Sequence, residues 1–302
     1  MKITVNENIT LLEALERQFP DSNRTHLKKA IRYGCVLQDS TVLRRPEFLL
    51  QAGSQIEFRN YKSRETSRRP APFKILYEDD YMLAVIKPAG ILSSGRTTEK
   101  IRSMFGMVNH YLQQKSRGRE RAYTVHRLDR EVSGILLFAK TEEAKYNLQD
   151  NWQDVEKHYY ALVHDIPGKE RATLQSFLKE NARQVVYSVP EEEPDSKWAV
   201  THYHVLDYYG WRGEKTTRQN ALFTLLDVKL ETGRKNQIRV HLSDMGCPIV
   251  GDRKYGADPK VNRQVRLYAY SIRFPHPMQE RAVKLEMPLP ASFTYVTPQT
   301  EY

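Results

Sequence analysis

The chain has 302 residues, of which 40% are apolar, and a formal net charge of +10. This length suits two domains, and the apolar content is enough for an ordinary globular core. The longest apolar runs are far shorter than the roughly 20 residues of a membrane helix, and the first residues lack an apolar signal core, so we expect a cytoplasmic protein without a membrane span. Two cysteines, Cys35 and Cys247, exclude a disulfide framework. The positive charge favours a polyanionic partner.

The first 58 residues are predicted to form a small α/β unit. The stretches TLLEALERQF and SNRTHLKKAIRYG predict two helices, the second beginning at Ser22 or Asn23 and ending at Gly34. Short runs in CVLQ and SQIEF predict strands. Residues 1–72 hold 13 Lys and Arg side chains against 8 Asp and Glu, so half of the net charge lies in this part of the chain.

Three basic residues of the second helix share one face, because Arg24, Lys28 and Arg32 are spaced four residues apart. A stripe of charge is most often a solvated helix face. This stripe has no interleaved acidic side chain, so its charges repel one another until an anion binds. We therefore predict that the stripe binds an anion.

The stretch RNYKSRETSRRPAP, residues 59–72, has five basic side chains, two prolines and almost no apolar content, which is typical of a linker. Residues 73–302 form the second predicted unit. Its strand-like runs include FKILYE, YMLAVIKP, GILLFAK, HYYALVH, ALFTLLDVKL and RLYAYSIRF, with helical stretches such as RKNQIRVHLSDMG between them. Runs of strands with occasional helices predict an α+β domain on a mostly antiparallel or mixed sheet.

A cluster of charges, HRLDRE, stands directly before the apolar run GILLFAK. Its Asp129 lies between Arg127 and Arg130, and nearby positive charge is expected to lower the pKa of the carboxyl and keep it ionised. An ionised carboxylate can act as nucleophile or base at neutral pH. Alone, the pentapeptide HRLDR fits a salt bridge in a turn equally well.

Further motifs occur around this cluster in a fixed order, and together they resemble the RluA family of pseudouridine synthases. They are YEDDYMLAVIKPAGI, HRLDREVSG, VEKHYYALV, ETGRKNQIRVHLSDMGCPIVGDRKYG and FPHPMQERAVKLEMPLPASF. The resemblance covers about residues 73–293. The first unit resembles a small S-four-type RNA-binding domain in its helix-helix-strand pattern and its basic stripe.

The resemblance implies roles for three residues of the second unit. Asp129 would be the catalytic aspartate, Tyr159 the aromatic residue against the target base, and Arg239 the ion-pair partner of Asp129. The carboxylate would act covalently at the sugar or at carbon 6 of the base, or remove a proton from the sugar, and the sequence leaves these alternatives open. Tyr160, next along the predicted strand, is expected on its opposite face.

Arg127 is a candidate to enter the space that a flipped-out nucleotide leaves, although a structural salt bridge explains it almost equally well. Lys87 and Pro88 are predicted to shape a loop beside the site, and Gly134 is predicted to be a turn residue. His126 and His241 have no metal-ligand partners at suitable spacing, so we expect structural roles and no metal site.

The resemblance implies a monomeric RNA uridine isomerase that needs no cofactor, with large-subunit ribosomal RNA a better candidate substrate than transfer RNA. A noncatalytic RNA-binding or ribosome-assembly factor and a base-releasing hydrolase are the alternatives. The chain departs from the family pattern at Val132, Lys235 and Asn236, and it lacks a histidine after KPAG. These differences concern the substrate and the subfamily, because Asp129 is retained.

Overall fold

A computed structural model describes residues 2–58 except 21, 33 and 40, residue 71, and residues 73–95, 102–261 and 264–298. The chain divides into two compact units, Met1–Pro70 and Ala71–Tyr302. The predicted linker lies outside the described residues except at position 71. Within the described ranges, no helix combines the length and apolar composition that crossing a membrane requires.

The described residues of the first unit form two helices and two small sheets. Its elements are β1 (Lys2–Thr4), β2 (Ile9–Thr10), α1 (Leu11–Gln18), α2 (Arg24–Arg32), β3 (Val36–Gln38), β4 (Thr41–Leu43), β5 (Leu49–Leu50) and β6 (Gln55–Phe58). One antiparallel sheet has the strand order β1-β6-β3-β4, and β2 pairs with β5. The helices bury their apolar faces in one core with β6, which contains Leu15, Leu27, Ile31 and Ile56.

Local capping explains where the helices of this unit begin. In α1, the Thr10 hydroxyl accepts a hydrogen bond from Glu13 N, and the Glu13 carboxylate accepts one from Thr10 N at 2.9 Å, which is a capping box. In α2, Asn23 Oδ1 accepts a hydrogen bond from Thr25 N at 2.8 Å. Of the two predicted cap residues, Asn23 is therefore the one that caps the helix.

The second unit is built on one large sheet. Its strands are β7 (Ile75–Glu78), β8 (Met82–Lys87), β9 (Tyr123–Thr124), β10 (Ser133–Ala139), β11 (Glu156–His164), β12 (Arg171–Glu180), β13 (Val186–Val189), β14 (Lys197–Tyr209), β15 (Phe223–Leu230), β16 (Leu267–Pro275) and β17 (Ala282–Glu286). Its helices are α3 (Met104–Lys115), α4 (Glu142–Asp150) and α5 (Gln237–Asp244).

The strand order is β13-β12-β14-β15-β11-β16-β10-β8-β7, with β17 on β16 and β9 on β10. Among the described strands, neighbours run antiparallel except β10 and β16, which are parallel. The prediction of an α+β domain on a mostly antiparallel or mixed sheet is confirmed.

Gly134 lies inside β10 at the parallel junction, so its prediction as a turn residue is wrong. It pairs with Ala269 of β16 and has a φ of +123°. A Cβ atom added at this position would come within 2.2 Å of Ala269 O. The glycine is required because the two backbones approach too closely for any side chain.

Helix α5 packs against β12, β13 and β14 and is buried over most of its length. Polar side chains fix it there: Gln237 Nε2 donates to Val200 O and Thr201 Oγ1, each at 2.9 Å. The ring of His241 lies between Thr201 and Ser176, with Nδ1 2.8 Å from Thr201 Oγ1 and Nε2 3.0 Å from Ser176 Oγ. His241 is thus structural, as predicted.

Candidate active site

The charged cluster forms a loop, residues 125–132, between β9 and β10. Ser93 fixes its middle, because the Ser93 hydroxyl donates to Leu128 O at 2.6 Å and accepts from Leu128 N at 2.9 Å. At its start, His126 Nε2 accepts a hydrogen bond from Leu137 N at 2.9 Å. Burial lowers the pKa of His126 to about 3, so the ring is neutral and structural, as predicted.

The KPAG segment ties the other end of this loop. The buried ammonium of Lys87 donates to Ile91 O at 2.7 Å, Pro88 O at 3.0 Å and Arg130 O at 3.2 Å. Gly90 N also donates to Arg130 O at 2.7 Å. The prediction that Lys87 and Pro88 shape a loop beside the site is confirmed. The backbone that carries Asp129 is therefore held by hydrogen bonds from one continuous stretch, residues 87–93.

A cavity of about 410 Å³ opens beside this loop. Its walls come from the loop, from β11 and β15, from the turn before α5 and from α5 itself. They include three of the predicted site residues, Asp129, Tyr159 and Arg239, together with Arg127, Trp152, Lys157, Leu230, Arg234, Asn236 and Leu267. The structure thus brings all four predicted site residues of the second unit to one cavity.

Asp129 is largely buried, with 19% of its side chain exposed, and its Oδ2 lies 3.5 Å from Arg239 Nη1. Burial raises the pKa of its carboxyl above the ordinary value, and the positive charges of Arg239 and Arg127 oppose that rise. The expectation that neighbouring charges hold its pKa low is therefore wrong. Desolvation disfavours the carboxylate more than the two arginines favour it.

Arg239 is held mainly by a carboxylate that the sequence did not single out. Its Nε and Nη2 donate to Asp252 at 2.6 and 2.8 Å, and only 1% of Asp252 is exposed. Its Nη1 donates to Asn236 Oδ1 at 3.2 Å and to Glu131 Oε2 at 3.3 Å. The fork of hydrogen bonds to Asp252 fixes the guanidinium plane, so that Nη1 faces Asp129 and Glu131.

The contacts of Asn236 explain how the site accommodates this departure from the family pattern. Asn236 adopts a left-handed conformation with φ 53°, which asparagine tolerates better than most residues. Its Nδ2 donates to the Tyr255 hydroxyl at 2.8 Å, and the Tyr255 ring lies 5.0 Å below the Arg239 guanidinium. Asn236 therefore binds the guanidinium nitrogen that Asp252 leaves free, and Tyr255 packs against the guanidinium face.

Tyr159 lies on the cavity face of β11 and is 7% exposed. Burial raises the pKa of its hydroxyl, and the charge of Asp129 adds to the rise, so the phenol is neutral. The next residue, Tyr160, stacks on Tyr270 with ring centroids 3.8 Å apart. Neighbours on a strand point to opposite faces, and Tyr159 is the one that faces the cavity.

The sequence motifs contained other site residues whose contacts were not foreseen. Asp252 stands in the quoted GDRKYG, and Glu131 follows Asp129 by two positions, but nothing in their spacing indicated Arg239 as a shared partner. Trp152 and Lys157 also line the cavity. Lys157 stands two positions before Tyr159, so alternation along the strand was the signal that could have placed it there.

The basic stripe of the first unit is partly compensated. Arg24 Nε lies 3.2 Å from Glu16 Oε1 of α1, so the expectation that its charges have no acidic partner is wrong. The partner comes from the neighbouring helix, which spacing within α2 does not reveal. Arg24 and Arg32 are exposed, and Lys28 is half-buried.

The described residues contain no group of three or more His, Cys, Asp or Glu side chains arranged to hold a metal ion. What the cavity offers instead is a buried carboxylate, a fixed guanidinium and a neutral phenol. A carboxylate beside an arginine can attack or deprotonate a bound molecule, and a phenol can bind an aromatic ring or donate a proton.

Comparisons with known proteins agree with this chemistry. A family model described as RNA pseudouridylate synthase matches residues 81–244. An uncharacterized RNA pseudouridine synthase of Aquifex aeolicus is 31% identical over 93% of this chain and 90% of that relative. The ribosomal large subunit pseudouridine synthase D of Nitrosomonas europaea is 32% identical over 96% of this chain and 85% of that relative.

A solved structure shares the fold. Human RNA Pseudouridylate Synthase Domain Containing 4 superposes with a TM-score of 0.59 at 22% identity, covering 73% of this chain and 90% of that one. The resemblance stated from the motifs is confirmed by the family match and by the relatives. The chain belongs to the RluA-type RNA pseudouridine synthases, enzymes that isomerise uridine to pseudouridine in RNA.

Proposed function

We propose that this enzyme modifies uridines of large-subunit ribosomal RNA and that Asp129 is the group that reacts with the nucleoside. The observation that carries the catalytic assignment is the position of Asp129, which lines the cavity beside the fixed guanidinium of Arg239. Isomerisation breaks the bond between uracil and the sugar, turns the ring and joins it again through carbon 5. The reaction therefore needs a reactive group and a surface that retains the detached base.

Asp129 supplies the reactive group in its ionised form. Attack at the sugar, attack at carbon 6 and removal of a sugar proton all require an electron pair on an ionised carboxylate oxygen. Burial raises its pKa, which makes the carboxylate a stronger base than an exposed one, and Arg239 limits that rise. Arg239 also orients Asp129 toward the bound nucleoside.

Tyr159 retains the uracil. Its ring lines the cavity, and a stacked aromatic surface holds a planar base while leaving it free to turn in its own plane. Because the phenol is neutral, it donates a hydrogen bond or a proton and does not act as a base. Carbon 5 loses a proton when the sugar is rejoined there, and since a neutral phenol does not accept that proton, the role of the Tyr159 hydroxyl is to donate a hydrogen bond to the bound ring.

Arg127 assists access to the target. It lines the cavity but is exposed, and its charge acts on Asp129. A uridine stacked in a stem must leave the stack before its glycosidic bond is reached. We propose that the Arg127 side chain fills the space from which the nucleotide is extruded.

The choice of RNA rests on relatives and on charge. The relatives from Nitrosomonas europaea and Pasteurella multocida are named as ribosomal large subunit enzymes. The net charge of +10 suits a long polyanion. We propose that the first unit is an S-four-like RNA-binding domain whose residues Arg24, Lys28 and Arg32 contact phosphates, and that transfer RNA is the less favoured substrate.

Asp129→Asn tests the catalytic assignment. We expect pseudouridine formation on large-subunit ribosomal RNA to fall by about a thousandfold or more, because the amide removes the reactive charge, while RNA affinity changes little. Pseudouridines are mapped in RNA treated with either protein, and Asp150→Asn, an exposed residue of α4, is the control.

Three results would contradict the proposal. Substantial turnover by Asp129→Asn would remove Asp129 from the chemistry. Modification of transfer RNA in preference to ribosomal RNA would overturn the substrate. Release of free uracil as the main product of the unmodified enzyme would identify a hydrolase instead of an isomerase.

A further inference from the structure

A buried lysine in the cavity has no anionic partner among the described residues. Lys157, on β11, is 7% exposed, and its ammonium lies 5.3 Å from the ring centroid of Trp152. Burial lowers its pKa, and no carboxylate of the described ranges opposes that effect. Since it lines the cavity, the ammonium is available to a bound molecule.

Other buried cations of this unit have oxygen partners. Lys140 lies 3.3 Å from Glu78 and 3.2 Å from Glu120, and Lys87 donates to three carbonyl groups. Arg239 has Asp252. A buried ammonium without such partners is costly, so Lys157 differs from the cations that stabilise the fold.

Lys157 is not the counter-ion of the catalytic carboxylate. The charges that act most strongly on Asp129 are those of Arg239, Arg127 and Glu131. The neighbouring ring of His126 is not an anion in any protonation state available to it, and burial lowers its pKa to about 3, so it is neutral. Since no described residue supplies an anion to Lys157, a bound ligand is the candidate source.

The strand geometry indicates which part of the ligand carries the anion. Lys157 and Tyr159 are two positions apart on β11 and line the same cavity, so they lie about 7 Å apart along the strand. This separation is within the span of one nucleotide. If Tyr159 holds the uracil, Lys157 is placed to reach a phosphate of the same nucleotide.

We propose that Lys157 binds a backbone phosphate attached to the target uridine and thereby sets the position of the nucleotide in the cavity. The inference rests on the proposed function, because it takes uridine in RNA as the ligand. Phosphate contacts of this kind fix position and carry no base information. The Lys157 ammonium lies over the Trp152 ring, and the side chain is only 7% exposed, so little water screens its attraction for the phosphate.

Uridine, uridine 5′-monophosphate and uridine 3′-monophosphate are suitable probes, with binding followed by ligand-observed nuclear magnetic resonance. We expect the unmodified enzyme to bind one of the two monophosphates at least about tenfold more tightly than uridine. Lys157→Met, which keeps the length of the stem, should abolish that preference and leave uridine affinity unchanged. Lys157→Arg should retain it.

Lys229→Met is the matched control for net charge. Lys229 lies on the neighbouring strand β15, has 46% of its side chain exposed and pairs in register with His158, so it belongs to the opposite face of the sheet. Its replacement should leave the phosphate preference intact. Lys157→Met should also fold, because it leaves no buried carboxylate without a partner.

The binding test is independent of turnover. Equal affinity of the unmodified enzyme for uridine and both monophosphates would overturn the inference, and so would a preference that survives Lys157→Met. A parallel loss of uridine affinity would show that Lys157 merely shapes the cavity. If the preference depends on Lys157 but no pseudouridine forms in RNA, the phosphate contact stands and the proposed function fails.

Discussion

Arg239 connects the carboxylate of Asp129 to the framework of the protein. Burial lowers its pKa, but the hydrogen bonds and charge of Asp252, together with the charges of Asp129 and Glu131, outweigh burial and raise it, so the guanidinium is always charged. Two of its nitrogens are committed to Asp252, and the third faces Asp129 at 3.5 Å. An arginine can hold both partners because its donors form a rigid fork, which the single ammonium of a lysine does not.

Two substitutions of Arg239 separate its effect on the orientation of Asp129 from the effect of its positive charge on the pKa of Asp129. We expect Arg239→Lys to lower kcat/KM for pseudouridine formation by about 100-fold, because it keeps the positive charge but loses the forked contact that positions Asp129. The acid limb of the pH profile should not move, since the charge that lowers the pKa of Asp129 remains.

Arg239→Met removes that charge as well. The pKa of Asp129 then rises further, so its ionised form appears only at higher pH and the acid limb of the pH profile shifts upward. Asp252 is left buried without its partner, which should lower the free energy of unfolding by about 3–5 kcal/mol. An acid limb at the same pH in both variants would contradict the electrostatic role of Arg239.

At the level of elements, the parallel junction of β10 and β16 places the loop that carries Asp129. The loop ends where β10 begins, and Gly134 brings the two backbones together beside Ala269. On its other side β10 pairs with β8, which leads into the KPAG segment. Strand β10 therefore lies between β16 and β8 and supports both the loop that carries Asp129 and the KPAG segment.

Gly134→Ala should destabilise the second unit by about 2–4 kcal/mol, because its φ of +123° is strained for alanine and its Cβ would meet Ala269 O at 2.2 Å. Urea unfolding of the whole chain measures the change. Gly168→Ala is the control, with no atom within 4 Å of the added Cβ, and should change the free energy by about 0.5 kcal/mol or less. Equal effects of the two substitutions would refute the requirement for glycine at the junction.

At the scale of the whole molecule, positive charge is present in both units, but only the second contains the cavity. Glu16 partly neutralises Arg24, and the described residues contain no acidic partner of Lys28 or Arg32, so these two residues are the best placed in the stripe to bind a phosphate. Binding by such a surface depends on salt, because each phosphate contact releases counter-ions.

Replacing Arg24, Lys28 and Arg32 together by Gln should weaken binding of large-subunit ribosomal RNA and reduce its salt dependence. Each lost contact lowers the slope of log affinity against log salt by about 0.7–0.9, with Arg24→Gln alone having the smallest effect. Filter binding over a salt series measures this. Arg17→Gln is the control, because Arg17 is exposed and paired with Glu7 in the same unit. An unchanged slope in the triple variant would leave the stripe as a solvated helix face.

The sequence by itself determined the α+β class, the strand runs of the central sheet and the loop that carries Asp129. These features depend on local periodicity and on motifs of neighbouring residues. Strands β12 and β14 were not recognised, because polar residues such as Thr173, Gln175, His202 and His204 interrupt their apolar pattern. An apolar run indicates a strand only where both faces are covered.

Tertiary structure decided the electrostatics of the site. Three features depend on which side chains are brought together and how much water is excluded: the desolvation of Asp129, the forked contact of Asp252 with Arg239, and the lack of a described acidic partner for Lys157. The motifs indicated which residues meet, but the balance between burial and neighbouring charge is a property of the folded cavity. That balance raises the pKa of Asp129, where the sequence alone predicted the opposite.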